Sequence, residues 1–273
     1  MEGLVACSAR GTHRARDSGG APPHSIGVFL LIECALNGGR TRAEHPGVPC
    51  APQELADSAR EAVAAGAGAV HFHVRGRDER ESLDADDVAR AVEAVRAAIP
   101  ATPFGVSTGA WIVPDVKARY EKVAAWKVLP PFASINFNEE GGVALAELLL
   151  SRGVGIEAGV GSPEAVEALV ASGLAGRCLR VMFEPEQQDL RVALDGVERL
   201  EKMLERAGVK IPRLLHGLNR TAWDLIDAAL QRGYDTRIGF EDVLTLPNGS
   251  QAPGNAALVG EAAKRVGRTK TAS

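Results

Sequence analysis

An eightfold alternation of short apolar runs with longer amphipathic stretches constrains the fold of this chain more than any other feature. The runs have the composition of β-strands and span residues 28–35, 69–75, 104–108, 133–137, 154–158, 178–183, 213–217 and 236–241. Strands that alternate with helices pair in parallel through right-handed crossovers. Eight such units predict a closed (β/α)₈ barrel.

Helical patterns fill the intervals between the runs. Residues 52–65 and 84–98 carry apolar side chains at helical spacing. Ser162-Pro163-Glu164 is typical of a capped helix start, with proline at the first helical position. Glycines stand where helices are expected to end before the next strand, at Gly153, Gly208 and Gly233.

The length of the chain fits one such barrel. It has 273 residues, and a (β/α)₈ barrel typically takes about 250. No GxGxxG motif follows the first run, which weakens a dinucleotide-binding alternative. We therefore predict one barrel domain over residues 26–273. Residues 1–25 are rich in Gly, Ser, Arg and Pro and lack the apolar core of a signal peptide, so we expect a loose extension there.

Composition excludes several classes of partner. The net charge is −4 without a segment dense in Lys and Arg, which argues against nucleic acid. No apolar run approaches the roughly 18 residues of a membrane span. The four cysteines are scattered without a CxxC pair, which predicts free thiols in a reducing compartment: Cys7, Cys34, Cys50 and Cys178. We expect a cytoplasmic protein.

Two histidines end the second run. His71 and His73 alternate along a strand and therefore point to the same face. In this fold the site lies at the carboxyl ends of the strands, where two adjacent imidazoles are well placed to bind a metal. Glu241, at the end of the eighth run, can reach across the mouth as a third ligand. Two histidines and one carboxylate with an open position form a catalytic zinc arrangement. His216 could be a further ligand or a donor behind the ligands.

Other polar residues end the remaining runs. Arg237 and Glu241 are four positions apart, so along a strand they point to the same face. An arginine this close would keep the Asp242 carboxylate ionised. The alternative is a structural ion pair that closes the barrel. Small polar side chains that suit the binding of substrate oxygens end the third and fourth runs: Ser107, Thr108, Ser134 and Asn136. Ser107 could equally cap a helix. Glu157 and Glu184 are further acidic candidates that the sequence does not rank. Glu33, inside the first run, has no explanation at this level.

Five segments together resemble one family, the β-keto acid cleavage enzymes, which includes the 3-keto-5-aminohexanoate cleavage enzyme of lysine fermentation. The segments are Ala-Leu-Asn-Gly at 35–38, His-Phe-His-Val-Arg at 71–75, Ser-Thr-Gly at 107–109, Ser-Ile-Asn-Phe at 134–137 and Arg-Ile-Gly-Phe-Glu-Asp at 237–242. Their order and spacing agree with the family, and the resemblance extends from about residue 28 to about residue 268.

The resemblance implies a (β/α)₈ barrel that forms a homo-oligomer, a tetramer or a dimer. It implies zinc on His71, His73 and Glu241, with the Arg237–Asp242 pair as the base. It implies a set of substrate contacts at Asn37, Ser107, Thr108, Ser134 and Asn136. The implied reaction joins a β-keto acid with acetyl-CoA and releases acetoacetate and a new acyl-CoA, a Claisen and retro-Claisen acyl transfer.

One stretch departs from the family pattern. Members that cleave the amino substrate carry an acidic residue just after the first strand, whereas this chain has Arg40 and Arg42. We therefore expect a substrate that is neutral or anionic at its far end. An arginine here could also face the CoA phosphates or point to solvent.

Other functions on the same fold stay open. A metal-dependent hydrolase would place its His-x-His pair on the first strand and further histidines after the fifth and sixth, where this chain has Glu157 and Glu184. An aldolase or lyase would differ in having no dependence on CoA. A non-catalytic barrel is disfavoured, because the candidate groups converge on one rim.

Overall fold

Eight short parallel strands pair in the order in which they occur along the chain, and the last pairs with the first, which closes a barrel. The computed structural model describes residues 30–271. The strands are β1 (Ile32–Ala35), β2 (Ala69–Phe72), β3 (Phe104–Ser107), β4 (Phe132–Asn136), β5 (Gly155–Val160), β6 (Arg180–Phe183), β7 (Arg213–Leu215) and β8 (Asp235–Ile238). The predicted (β/α)₈ barrel is confirmed.

A helix follows every strand and packs on the outside of the barrel. The helices are α1 (Pro52–Ala64), α2 (Ala85–Ala98), α3 (Val116–Ala124), α4 (Gly142–Ser151), α5 (Pro163–Ala171), α6 (Leu190–Arg206), α7 (Ala222–Arg232) and α8 (Asn255–Thr271). Two short 3-10 turns, Ala175–Arg177 and Asn219–Thr221, precede β6 and α7.

The local signals in the sequence fix the helix ends. The Ser162 hydroxyl accepts a hydrogen bond from the Ala165 N–H at 3.3 Å and so caps α5. The three glycines expected to end helices all adopt the left-handed conformation, which glycine enters without steric cost: Gly153 (φ +79°), Gly208 (φ +73°) and Gly233 (φ +69°).

The apolar core lies between the strands and the helices. In α2, Val88, Val92 and Val95 form an apolar stripe at helical spacing and are fully buried. The largest buried side chains of the core include Trp126, Phe72 and Phe104. The inside of the barrel is different, because charged and polar side chains share it with apolar ones.

The strands are shorter than the apolar runs, and this decides where the site residues lie. β2 ends at Phe72 and β8 at Ile238, so His73 and Glu241 lie beyond the strands. The chain leaves β8 in a turn, since the Asp242 N–H donates to the Gly239 carbonyl at 2.9 Å. A Cβ on Gly239 would lie 1.9 Å from the Ala35 carbonyl oxygen, so this close passage requires glycine. The turn, and not strand alternation, directs Glu241.

Some sequence predictions concern other parts of the chain. Cys34, Cys50 and Cys178 are buried free thiols, as predicted. Within residues 30–271 no helix has both the length and the apolarity that crossing a membrane requires. The predicted extension over residues 1–25, with Cys7, lies outside the described residues.

Candidate metal centre and active site

The three predicted metal ligands converge at the carboxyl rim of the barrel. The His71 Nε2 lies 3.7 Å from Glu241 Oε2, and the His73 Nε2 lies 3.5 Å from Glu241 Oε1. One ligand atom from each residue falls within 4.8 Å of the other two. The two imidazole rings stand nearly perpendicular, at 82°, so their nitrogens approach the carboxylate from different directions.

Two residues after β1 shape this arrangement. A Cβ on Gly38, whose φ is +51°, would lie 2.3 Å from the Glu241 Cγ, so only glycine lets the carboxylate fold over the rim. The Asn37 side chain donates to the His73 and Pro49 carbonyls at 2.9 and 3.0 Å and accepts from the His73 N–H at 2.8 Å. Its amide therefore holds the backbone of His73. The substrate-binding role expected for Asn37 stays a prediction.

The electrostatic environment favours the ligand forms of two of the three groups. Burial lowers the pKa of His71 to about 3 despite the neighbouring Glu241 carboxylate. Burial would favour a neutral Glu241, but Arg237 and the two histidines hold its pKa well below the usual range. Burial also opposes the charged form of His73, but Glu241 and Glu81 outweigh it and raise its pKa to about 9. Metal binding would displace that proton.

This donor set fits a divalent metal. The Glu241 Oε2 atom is buried and has no hydrogen-bond partner among residues 30–271, although it faces the His71 imidazole. A buried carboxylate oxygen without a partner is costly, and a cation between it and the imidazoles would remove that cost. Two imidazoles and one carboxylate are ligands that zinc accepts, and three protein ligands leave a position open for substrate.

A buried ion pair lies next to the ligands. The Arg237 Nη2 atom donates to Asp242 Oδ1 at 2.8 Å and to Glu241 Oε1 at 3.2 Å. Asp242 has no exposed surface, and within the described part of the chain its Oδ2 atom has no hydrogen-bond partner. His216 is also fully buried, with Nδ1 3.2 Å from Asp242 Oδ1 and Nε2 3.8 Å from Glu184 Oε2. Arg237 therefore orients both acidic residues, and His216 lies behind the metal centre.

The polar residues predicted on β3 and β4 divide into two groups. The Thr108 hydroxyl donates to the Ser134 carbonyl at 2.9 Å, and the Asn136 amide donates to Glu139 Oε1 at 3.0 Å, so both hold the rim together. Ser107 and Ser134 are paired across the strands, and both side chains face the inside of the barrel. The Ser107 hydroxyl has only a long contact of 3.4 Å with the Gly109 N–H. The two serine hydroxyls are the better placed to meet a substrate oxygen.

Glu33 belongs to a charged cluster inside the barrel. Arg180 donates to Glu33 Oε2 at 2.8 Å and to Glu157 Oε1 at 2.5 Å, and both glutamates are completely buried. Burial, together with Glu157, raises the pKa of Glu33 to about 8. Glu33, His71 and Glu157 also bring one potential ligand atom each within 4.8 Å. Because Arg180 already pairs both carboxylates, we interpret this group as an ion cluster beneath the metal centre.

The two arginines after β1 are engaged with other side chains. Arg42 pairs with Glu54 at 2.6 Å and Glu79 at 2.9 Å. Arg40 pairs with Glu44 at 2.9 Å, and its other nitrogen donates to Asn219 Oδ1 at 2.5 Å. Arg40 therefore lies at the rim between the loops after β1 and β7.

Two residues at the rim, Glu81 and Trp111, were not predicted from sequence patterns. Glu81 accepts from His73 Nδ1 at 2.5 Å, and Trp111 stacks beside the His73 ring with a centroid distance of 6.0 Å. Both lie in loops, where neither strand nor helix periodicity marks a residue. Their only signal in the sequence is their position shortly after strands that carry candidate site residues.

The fold and the site together define a (β/α)₈ barrel with a candidate metal centre and an adjacent Arg–Asp pair at its catalytic rim. The model of the beta-keto acid cleavage enzymes matches residues 30–143 and 165–271. The chain belongs to this family, as the sequence motifs indicated.

Two curated relatives align with most of this chain, and a third aligns with a shorter segment. The 3-keto-5-aminohexanoate cleavage enzyme of Fusobacterium nucleatum subsp. nucleatum is 26% identical over 260 residues, which are 88% of this chain and 93% of that protein. The same-named enzyme of Acetoanaerobium sticklandii is 23% identical over 84% of this chain and 89% of its own. The 3-oxoadipate:acetyl-CoA acetyltransferase of Cupriavidus necator is 39% identical over 80 residues, which are 29% of this chain and 28% of that protein.

A solved structure supports the fold. ObcA, in its ternary complex with C4-CoA adduct and oxalate, superposes with a TM-score of 0.66 at 20% identity. The comparison covers 82% of this chain and 65% of the ObcA chain. At this identity the likeness concerns the barrel alone.

Proposed function

We propose that this protein is a zinc-dependent acyltransferase that cleaves a β-keto acid with acetyl-CoA and releases acetoacetate and a new acyl-CoA. The convergence of His71, His73 and Glu241 beside the Arg237–Asp242 pair, in a member of this family, carries the proposal. Acetyl-CoA as the second substrate is supported by the name of the Cupriavidus necator relative.

The chemistry begins with an acidic CH₂ group between a keto carbon and a carboxylate. A divalent metal on the three ligands would act as a Lewis acid toward the keto and carboxylate oxygens and would make this CH₂ more acidic. Asp242 accepts the proton as the general base, and Arg237 orients the carboxylate through its hydrogen bond of 2.8 Å to Oδ1. Asp242 Oδ2, which accepts no hydrogen bond from any described residue, is the oxygen available for the proton. Since Asp242 is fully buried, the rim must open to let substrate reach it.

The C–C and thioester bonds then form and break in steps that regenerate the Asp242 carboxylate. The C2 carbanion attacks the acetyl thioester, a C–C bond forms, and CoA thiolate leaves. The thiolate attacks the original keto carbon, the bond from that carbon to C2 breaks, and the new acyl-CoA forms. The remaining carbanion takes the proton back from Asp242 and becomes acetoacetate. Ser107 and Ser134 would donate hydrogen bonds to substrate oxygens at the rim.

Metal content is the first test of this proposal. We expect about one zinc per chain, since the three ligands form a single site. The double variant His71→Ala/His73→Ala should lose zinc and activity together. Glu44→Gln, which removes a rim carboxylate that pairs with Arg40 and Thr41 and not with the ligands, should keep the zinc. Full zinc occupancy in the double variant would exclude the assigned ligands.

Proton exchange tests the base separately from the metal. Asp242→Asn should retain zinc and lose exchange of the C2 protons of a β-keto acid in deuterated water, by about 10²–10⁴-fold. Exchange at the wild-type rate would show that another group is the base.

The charge at the far end of the substrate follows from the loop after β1. We infer a neutral or anionic far end, because Arg40 lies at the rim where an ammonium-binding member has an acid. Like charges placed together at a binding site are unfavourable, although Glu44, which pairs with Arg40 at 2.9 Å, offsets part of this effect. The kcat/KM for 3-keto-5-aminohexanoate should be below that for an uncharged or dicarboxylic β-keto acid of similar length. A clear preference for the amino substrate would contradict this inference.

The same assays separate the competing functions. Turnover of the β-keto acid should require acetyl-CoA and give one acyl-CoA per acetoacetate. Turnover without CoA would indicate a hydrolase, an aldolase or a lyase on the same barrel.

A further inference from the structure

The imidazole of His73 is contacted from two further directions by residues that have no part in the proposed chemistry. Its Nδ1–H donates to Glu81 Oε1 at 2.5 Å, on the side of the ring opposite the candidate metal. Its face lies beside the Trp111 indole, with an interplanar angle of 27°. The Trp111 Nε1–H donates to both Glu81 oxygens, at 3.1 and 3.2 Å. Trp111, Glu81 and His73 therefore form a closed triangle of contacts.

The backbone holds Glu81 firmly in this triangle. The chain turns back after β2, and Glu81 forms an antiparallel bridge with Arg75. The Ser82 N–H donates to the Val74 carbonyl at 3.0 Å, and the Gly76 N–H donates to the Arg80 carbonyl at 2.8 Å. The carboxylate thus comes from a short hairpin continuous with the strand that carries His71.

Trp111 reaches the triangle from the loop after β3. Its indole lies directly over Gly109, where a Cβ would come within 2.2 Å of the ring. The outer side of Trp111 is open, and 53% of the residue is exposed. An indole left at the surface gains little from burial, so its position is explained by the two hydrogen bonds to Glu81 and by the contact with His73.

We propose that Glu81 and Trp111 are positioning residues for the metal centre. Glu81 fixes the His73 ring with the proton on Nδ1 and Nε2 toward Glu241, and Trp111 holds Glu81 in place. A ligating histidine that donates its other N–H to a carboxylate is oriented and made more basic, and the loss of such a partner typically weakens metal binding by about 10–100-fold. This role rests on the proposed metal centre.

Zinc affinity, measured by competition with a chelator, tests the role without reference to activity. We expect Glu81→Gln to weaken zinc binding by roughly 10–100-fold, and Trp111→Phe, which keeps a ring but loses the N–H donor, to weaken it less. Because Trp111→Phe acts through Glu81, the double variant should bind zinc no more weakly than Glu81→Gln alone. Glu79→Gln changes a nearby acid that does not contact His73 and should match the wild type.

Two further measurements distinguish positioning from a general structural role. The melting temperature of the zinc-free protein should change little in Glu81→Gln, and excess zinc should restore much of its kcat. Zinc should also change the Trp fluorescence of the wild type but not that of Trp111→Phe. If the wild type binds zinc, His73→Ala does not, and Glu81→Gln matches the wild type, the positioning role is wrong while the metal centre stands. If the wild type itself binds no zinc, both fall.

Discussion

Replacement of Arg180 by methionine tests whether the charged cluster inside the barrel holds the fold together. Arg180 is the cation that hydrogen-bonds to Glu33 and Glu157, at 2.8 and 2.5 Å, and neither glutamate has exposed surface. Methionine fills much of the same volume but leaves two carboxylates unpaired. Removal of one partner of a buried ion pair costs about 3–5 kcal/mol. The total stability of a domain is typically about 5–15 kcal/mol, so the loss is a large fraction.

The loss should depend on pH in a definite direction. Burial raises the pKa of Glu33 to about 8 in the native protein. A carboxyl whose folded pKa is raised contributes stability that is complete below its unfolded pKa, near 4.5, and is lost as pH rises through the folded pKa. Without Arg180 the folded pKa of Glu33 rises further, because an attractive charge is gone. The destabilisation by Arg180→Met should therefore be larger at pH 8 than at pH 5.5.

Urea unfolding followed by circular dichroism at both pH values measures this effect. The matched control is the triple variant Glu33→Gln/Glu157→Gln/Arg180→Met, which removes the charges together. It should regain much of the stability lost by Arg180→Met, since neutral amides do not carry the cost of unpaired buried charge. A loss below about 1 kcal/mol, the range of an exposed pair, would refute the reasoning. So would a loss that is equal at the two pH values.

Three further substitutions have outcomes that follow from single contacts. Gly38→Ala should weaken zinc binding at least about tenfold by chelator competition, because its Cβ would meet the Glu241 Cγ at 2.3 Å; a tenfold change corresponds to about 1.4 kcal/mol, and unchanged affinity would show that the loop adapts. Thr108→Val should cost about 0.5–1.5 kcal/mol in thermal unfolding, since the Ser134 carbonyl loses the hydrogen bond from the Thr108 hydroxyl; a neutral result would show that this hydrogen bond does not stabilise the rim. Asn255→Leu removes hydrogen bonds that join the ends of β1 and β8 and should lower stability and zinc affinity together, whereas a loss of stability alone would separate α8 from the site.

Local periodicity and capping were enough to predict the architecture. Eight apolar runs alternating with helical patterns predicted a closed parallel barrel, and the pairing of the last strand with the first confirms it. Ser162 and the three helix-ending glycines act through their own backbone conformations and nearest neighbours, so the sequence alone located them. The alternation of His71 and His73 is a property of one strand and its extension, so the sequence alone also predicted that both side chains point to the same face.

The composition of the site depended on closure of the barrel. Glu241 reaches the histidines because the chain passes close to Ala35 at Gly239, directly after β8, and then turns; no pattern within β8 encodes this path. Glu81 enters from a hairpin whose geometry is set by backbone hydrogen bonds outside any regular element. Local periodicity predicts neither the turn that places Glu241 nor the hairpin that places Glu81.

Residue patterns along the chain were enough to predict the fold and the candidate ligands, whereas the residues around those ligands follow from strand pairing in the closed barrel. Glu33, an unexplained acid within an apolar run, acquires a role only when β1, β5 and β6 bring Glu33, Glu157 and Arg180 to one level inside the barrel. Glu157 and Arg180 are register partners on the neighbouring strands β5 and β6, whereas Glu33 lies 147 residues before Arg180 along the chain. Strand propensity is local, but the neutralisation of a buried charge depends on whichever residue the closed barrel places opposite it.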